Sequence, residues 1–255
     1  MELVDTHCHL DLPAFDADRE SVLQRSRTNG VRTIVVPGVQ ADGWGQLLDL
    51  CSSDANLYPA LGLHPAFLDQ HTGADLKALE AQLAEHRPVA VGEIGLDYYL
   101  KHLDQGRQQA LLEAQLEMAR AVDLPVILHV RKAHEQVLAT LQRIRVPGGI
   151  AHAFNGSLQQ AAEYAGLGFK LGFGGMLTFE RSSKLRALAK AIPVESIVLE
   201  TDAPDMTVAQ HRGERNSPEY LPFCLAALAE VRGESPEAIA RQTTVNAHEV
   251  LGLYS

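Results

Sequence analysis

At 255 residues and 46% hydrophobic content, the chain is long enough to bury the core of one large domain. Its formal net charge of −10 offers phosphates no overall attraction, so a nucleic-acid substrate would have to meet local positive charge or bound cations. Three widely spaced cysteines, Cys8, Cys51 and Cys224, argue against a disulfide framework and a thiolate zinc site. With no leader pattern and no apolar run of the ~18–20 residues a membrane span needs, the expectation is a cytoplasmic protein with no membrane partner.

Apolar, β-branched runs alternate with amphipathic stretches along the chain. Strands are expected over residues 3–9, 33–39, 57–63, 89–96, 125–130, 149–154, 168–174 and 197–201. Helices are expected between them, over 17–29, 43–52, 74–85, 104–121, 133–143, 158–165 and 183–191. In the stretch 104–121, Leu111, Leu112, Gln115, Leu116 and Ala119 recur on a helical period. A charged, Pro-containing loop follows the eighth strand. Two more helices, over 218–232 and 236–252, each begin with Ser-Pro, an N-cap and a proline at the first helical position.

Strands that alternate with helices pair in parallel through right-handed crossovers, and eight of them close a barrel. The expected fold is α/β, a (β/α)8 TIM barrel forming a single domain over 1–255. A doubly wound open sheet is the competing architecture.

In such barrels functional groups gather at the C-terminal ends of the strands. His7 and His9 are two residues apart, so on a strand both imidazoles project to one face and Cys8 to the other. The third strand ends in His64, the fourth carries Glu93, the fifth ends in His129-Val130-Arg131, the sixth in His152, and the eighth runs into Asp202. A carboxylate inside an apolar strand is costly unless paired or bound to a metal. Nitrogen and oxygen donors without thiolates suit Zn²⁺, Mn²⁺, Mg²⁺ or Co²⁺. His7, His9, Glu93, His129, His152 and Asp202 are too many for one tetrahedral ion with an open position. They suit two divalent ions about 3.5–4 Å apart that share a carboxylate and a water, with Glu93 the bridging candidate.

The same residues fall into ordered motifs: D-x-H-x-H at Asp5, His7 and His9, G-E-x-G-L-D at 92–97, H-x-R at His129 and Arg131, H-x-F at His152 and Phe154, and E-T-D-x-P at 200–204. Gly-Leu-His-Pro at 62–65 and Arg215-Asn216-x-Pro218 join them. The set resembles the TatD-type metal-dependent hydrolases, within the wider amidohydrolase-like barrels, and covers residues 5 to 219 in order. H-x-H alone would be weak; the combination is specific. The resemblance implies a two-metal hydrolase with DNase activity, often 3′–5′ exonucleolytic. It implies that His7, His9 and Asp202 hold one ion, His129 and His152 the other, and that Glu93 bridges them where many relatives in the superfamily use a carboxylated lysine.

Two cations lower the pKa of a bound water, so that a bridging hydroxide exists near neutral pH. Asp202 is the candidate general base, or a ligand alone. Arg131 could bind a phosphate or pair with a loop carboxylate, His64 could touch a phosphate or support a ligand, and Arg215 is a further candidate substrate contact. Asp5 is expected to orient an imidazole or a neighbouring loop. Lys101, His102, Lys132, Arg181, Lys184, Arg212 and Arg215 could form a positive rim. Asn216 and Glu219 could contact the substrate, but capping of the following helix is the expectation, and Tyr98, Tyr99 and Phe154 either stack on bases or pack. A monomeric phosphodiesterase acting on DNA ends is the leading expectation. A metal-dependent ester or amide hydrolase, such as an aminoacyl-tRNA deacylase, would use the same groups, and a non-catalytic metal-binding barrel is the third possibility.

Overall fold

The structure is a computed structural model in which residues 1–253 are described. Eight strands pair in parallel in the order of the chain: β1 (Leu3–Asp5), β2 (Val31–Pro37), β3 (Leu57–Leu61), β4 (Ala90–Asp97), β5 (Val126–Arg131), β6 (Gly149–Ala151), β7 (Phe169–Phe173) and β8 (Ile197–Leu199). Each is followed by helix: α1 (Arg19–Thr28), α2 (Trp44–Ser52), α3 (Gly73–His86), α4 (Gln105–Ala121), α5 (His134–Arg143), α6 (Leu158–Gly166), α7 (Ser183–Ala191) and α8 (Leu221–Arg232), with α9 (Pro236–Leu251) last. The seam between β8 and β1 is stitched beyond the strand ends. Thr6 N donates to Leu199 O (3.1 Å), Asp202 N to His7 O (2.8 Å) and His9 N to Ala203 O (2.8 Å), while Cys8 and Ala203 form an isolated parallel bridge. The fold is the TIM barrel, and the sequential strand order rules out the doubly wound sheet.

One end of the barrel is filled with hydrocarbon. Val4, Val35, Ala60, Ala90, Ile127, Ile150 and Val198, one from each of seven strands, cluster with Ala247, Leu251 and Leu253, so α9 and Leu253 form a plug. The second and larger cluster, with Val36, Leu61, Leu96, Leu128 and Leu171 facing Leu47, Leu112 and Leu138, lies between the strands and their helices. Counting by twos from the plug leads to the other mouth: Ala60 to Gly62 and His64, Ile127 to His129 and Arg131, Ile150 to His152, Val198 to Glu200 and Asp202. In β4 that count would give Gly92 and Ile94. A register irregularity between Val91 and Ile94 shifts the phase, leaving Ile94 in the outer cluster and turning Glu93 inward.

Two glutamines on the buried face of α4 fasten the same mouth. Gln115 accepts from Leu63 N (2.7 Å) and donates to Leu63 O (3.1 Å); Gln108 does the same for Asp97 (2.8 and 3.1 Å). Backbone that leaves the sheet beside His64 and at Asp97 is thereby fully paired, as buried peptide groups must be. The late Ser-Pro pairs differ from expectation in one case. Ser235 caps α9 through Ala238 N, but Ser217 caps nothing; Pro218–Tyr220 form a 3-10 turn and α8 starts only at Leu221.

Candidate metal centre

The first strand is shorter than residues 3–9, because beyond Asp5 the chain pairs through single hydrogen bonds to both flanks. Cys8 N donates to Val35 O (3.1 Å) on one side, and Asp202 N reaches His7 O on the other. Asp5 is buried and accepts from His7 N (3.2 Å), Thr201 N (2.9 Å) and Thr201 Oγ1 (2.5 Å). It therefore ties the exit of β1 to the exit of β8 rather than facing the cluster. Burial pushes its carboxyl up to about 8. Asp202 leaves β8 in the left-handed region (φ 57°), as do Lys132 (57°) after β5 and Ala153 (44°) after β6. These turns swing the chain away from the barrel axis just past the polar side chains.

Glu93, 2% exposed, is the hub. Its Oε1 lies 2.9 Å from His152 Nε2, 3.1 Å from His129 Nδ1 and 3.2 Å from His64 Nε2. Its Oε2 lies 3.2 Å from His7 Nε2 and 3.6 Å from His9 Nε2. Asp202 Oδ1 stands 3.7 Å from Nε2 of both His7 and His9. Three overlapping groups, His7/Glu93/His152, His7/His9/Asp202 and His64/Glu93/His129, each bring their donor atoms within 4.8 Å of one another. The six residues expected as ligands from five strand exits thus converge, and His64 stands among them.

For His9, His129 and His64 a partner at the outward nitrogen bears on what the inward one offers, whereas the buried Nδ1 of His7 and of His152 has no hydrogen-bond partner among the described residues. His9 Nδ1 lies 3.2 Å from Pro37 O, which can only accept, so the proton sits there and Nε2 keeps its lone pair. His129 is turned the other way round: Nε2 lies 3.1 Å from Asp97 Oδ2, and Nδ1 faces Glu93. Behind His152, Nδ1 lies 3.7 Å from Glu200 Oε1. His64 differs from all of these. Its Nδ1 accepts from Ala66 N (3.0 Å), so in the neutral ring Nε2 carries the hydrogen and is a donor to Glu93 Oε1. Lone pairs on His7, His9, His129 and His152, with two carboxylates, form a donor set that fits divalent cations. The His64 nitrogen does not join that set.

The model of the family described as TatD related DNase matches residues 4–252. The chain belongs to the TatD family. A metal-dependent hydrolase of Escherichia coli K12, YjjV, is 42% identical over 254 residues, 98% of each chain. The crystal structure of that TatD homologue superposes with a TM-score of 0.95 at 41% identity, covering 99% of this chain and 98% of the other. A Klebsiella pneumoniae protein named 3′-5′ ssDNA/RNA exonuclease TatD is 32% identical over 258 residues, 98% of each. This TatD chain is accordingly a metal-dependent hydrolase.

Electrostatics in the TatD centre follow from crowding imidazoles around one acid. Burial alone would raise the Glu93 carboxyl, but His64, His152, His7 and the bond from His129 outweigh it and hold Glu93 well below the usual range. Burial keeps His7 far below its ordinary value and His64 down at about 4, so both rings stay neutral at physiological pH. For His152 and His129 burial is overcome, by Glu93 with Glu200 and by Asp97 with Glu93, and both are raised. Burial lifts Asp202 to about 6 against the pull of His152 and His9.

The centre forms the floor of a cavity of about 1130 Å³. Leu12, Phe67, Leu100, Phe173, Met176 and Met206 give it apolar walls, and Arg131, Arg181 and Lys184 supply cations. Lys101, His102, Lys132, Arg212 and Arg215 do not line it. Arg215 is a correction: its guanidinium is held by both oxygens of Asp18 (2.8 Å each) and by Ala14 O, over the Phe15 ring, away from the cluster. Glu219 pairs with Arg25 (2.5 Å) and Asn216 joins Thr201 O to Asp205 O, so neither caps a helix as expected. Arg131 lies 4.1 Å over the exposed Tyr99 ring and 3.6 Å from Asp97. Phe154 packs against His134, Tyr164 and Phe173 in the core. Asp97 and Glu200 carried no individual role in the sequence, although Asp97 is four residues after Glu93 and Glu200 two before Asp202, spacings that share a strand face.

Proposed function

We propose that this TatD hydrolase is a two-cation phosphodiesterase that removes nucleotides from the 3′ ends of single-stranded nucleic acid. One observation carries it: the two oxygens of Glu93 face two different sets of imidazoles, His7 with His9 and His129 with His152. In this reading His7, His9 and Asp202 would hold one divalent ion and His129 with His152 the other, and Glu93 would serve both. Zn²⁺, Mn²⁺, Mg²⁺ and Co²⁺ all suit these donors. When bound, two such ions supply a water that ionises near neutral pH and neutralise charge on a phosphoryl group.

The remaining roles belong to the chain. Asp202, whose Oδ1 stands 3.7 Å from Nε2 of both His7 and His9, is placed to accept the proton of the attacking water. His64, held with its hydrogen on Nε2 beside Glu93 Oε1, would share that hydrogen with a non-bridging oxygen of the phosphoryl group. Arg131, Arg181 and Lys184 meet the backbone phosphates of a chain whose overall charge would repel them. These three cations favour a polyanionic substrate over a simple carboxyl ester, a preference that an aminoacyl-tRNA with its own phosphates would share. The printed name of the Klebsiella relative points the same way. Three buried free thiols suit a reducing, cytoplasmic setting, and no helix among the described residues is long and apolar enough to cross a membrane. We take the chain to act as a monomer.

The test is a substrate panel run with metal-loaded protein, with and without chelator. It contains single-stranded DNA and RNA labelled at either end, duplex DNA, a simple carboxyl ester and an aminoacyl-tRNA. Stepwise, chelator-sensitive shortening from the 3′ end is expected. Turnover of the carboxyl esters alone would replace the assignment with the deacylase; stoichiometric metal without any turnover would replace it with a binding barrel.

A further inference from the structure

We infer that Asp97 is a positioning residue for the metal centre: it dictates which nitrogen of His129 is offered to a cation. Asp97 is 2% exposed at the end of β4, and its own backbone N–H and C=O are both taken by Gln108. Its side chain cannot drift, because Oδ1 accepts from Tyr99 N at 3.0 Å. That leaves Oδ2 for His129 Nε2 at 3.1 Å. Both nitrogens of His129 face a carboxylate, which can only accept: Asp97 Oδ2 at Nε2 and Glu93 Oε1 at Nδ1, each 3.1 Å away. A cation held beside Glu93 would displace the Nδ1 proton, while Asp97, outside the cluster, keeps the other proton pinned on Nε2 and so fixes Nδ1 as the donor to that cation. Strand geometry supports the contact. Gly95 pairs with His129 and Asp97 with Arg131 across β4 and β5, and any Cβ at Gly95 (φ 152°) would run into the His129 carbonyl. The two strands can approach this closely only with glycine there.

Asp97 also faces outward. Arg131, which stacks on Tyr99, lies 3.6 Å from Oδ2, and Tyr99 supplies the N–H to Oδ1. The carboxylate therefore joins Arg131 of the cavity wall, and Tyr99 beneath it, to one proposed ligand. His9 has a backbone carbonyl behind it, which no side-chain substitution removes. His129 depends on a carboxylate that can be replaced. The inference rests on the two-cation reading and is independent of the substrate.

Asp97→Asn isolates the effect. One amide must meet both Tyr99 N–H and His129 Nε2–H, and in either orientation an NH2 faces a donor unless the imidazole moves its proton to Nδ1. Metal-free protein is titrated with Co²⁺ against a competing chelator, following the visible absorption of the ion. Wild type should show two binding steps. In Asp97→Asn one step should weaken about 10- to 100-fold with a changed spectrum while the other keeps its affinity and spectrum. Two unchanged steps would overturn the inference. So would equal weakening of both steps with a lower melting temperature of the metal-free protein, which is what a merely structural role predicts. Should the variant not fold, nitrogen-15 NMR of zinc-loaded wild type decides: His129 must carry its proton on Nε2, and a proton on Nδ1 refutes the assignment. Neither measurement uses a substrate, so an error in the nuclease assignment leaves both results intact. A wild-type chain that takes up no cation sinks the two-cation reading and this inference together.

Discussion

Glu93 Oε1 lies 2.9 Å from His152 Nε2, with both side chains buried. Such an acid is stable only because imidazoles surround it, and in the proposed centre it serves both cations at once. Glu93→Gln keeps the shape and removes the charge. Bound metal, measured by elemental analysis after gel filtration, should fall by at least one ion per chain. Turnover should fall by at least roughly 10²-fold. Full retention of either would refute the bridging role.

His64 separates ligand from donor. Because its Nδ1 accepts the Ala66 N–H, His64→Ala should keep both ions and lose roughly 10²–10³-fold in kcat. An ion lost together with the ring would mean that Nε2 is a ligand after all.

Gly172 lies against Glu200, and a Cβ there would collide with that carboxylate. Glu200 is 1% exposed and accepts from Ala153 N at 2.6 Å, so it has nowhere to go. Gly172→Ala should cost about 1–3 kcal/mol in urea unfolding. The reason is local crowding, so the strain should vanish in the double variant Gly172→Ala/Glu200→Ala. An additive loss in the pair would show that the backbone, not the carboxylate, is the obstacle.

His134 gives the fold a pH dependence away from the metal centre. Burial lowers its pKa from the ordinary 6.5, partly offset by the Asn155 Oδ1 at 3.3 Å, and Tyr164 OH lies 3.3 Å from its other nitrogen. The unfolded chain thus binds this proton more readily than the folded one. The stability from the neutral ring is complete above pH 6.5 and is lost as pH falls below it toward the lower folded value. Urea unfolding at pH 7.5 and 5.5, with chelator throughout, should show wild type losing more stability on acidification than His134→Gln. Equal losses would remove His134 from the account.

Cys8, Cys51 and Cys224 are all buried, and burial pushes the Cys51 thiol up to about 12 and the other two upward as well. Little thiolate exists at pH 8 and none is reachable. Native protein should therefore react with a thiol reagent over hours, whereas denatured protein should release three equivalents at once. A fast equivalent in the native state would show that one of these thiols is reachable from solvent and refute the prediction.

The alternation of apolar runs and helical periods made the barrel legible, because each strand buries both faces and each helix one. The strand-end histidines were legible for a related reason: a polar side chain on an otherwise apolar strand has to be explained. Less visible was phase. Nothing in Val91-Gly92-Glu93-Ile94 announces the irregularity that turns Glu93 inward instead of Ile94. Arg215 was misplaced because a cation in a loop after the eighth strand looks the same whether it faces a cavity or, as here, Asp18.

By itself, then, the sequence determined the order of elements, the closed sheet and the kinds of atom available at its mouth, since spacing and burial are written residue by residue. Only the tertiary structure decided which nitrogen each imidazole presents. That choice depends on what stands behind the ring: Pro37 O for His9, Asp97 for His129 and Ala66 N–H for His64. Pro37 and Asp97 reach their rings across strand neighbours 28 and 32 residues away in the chain, while His64 is set by its own turn. A proton's position on a histidine is fixed by contact, and such contacts exist only once the barrel has closed.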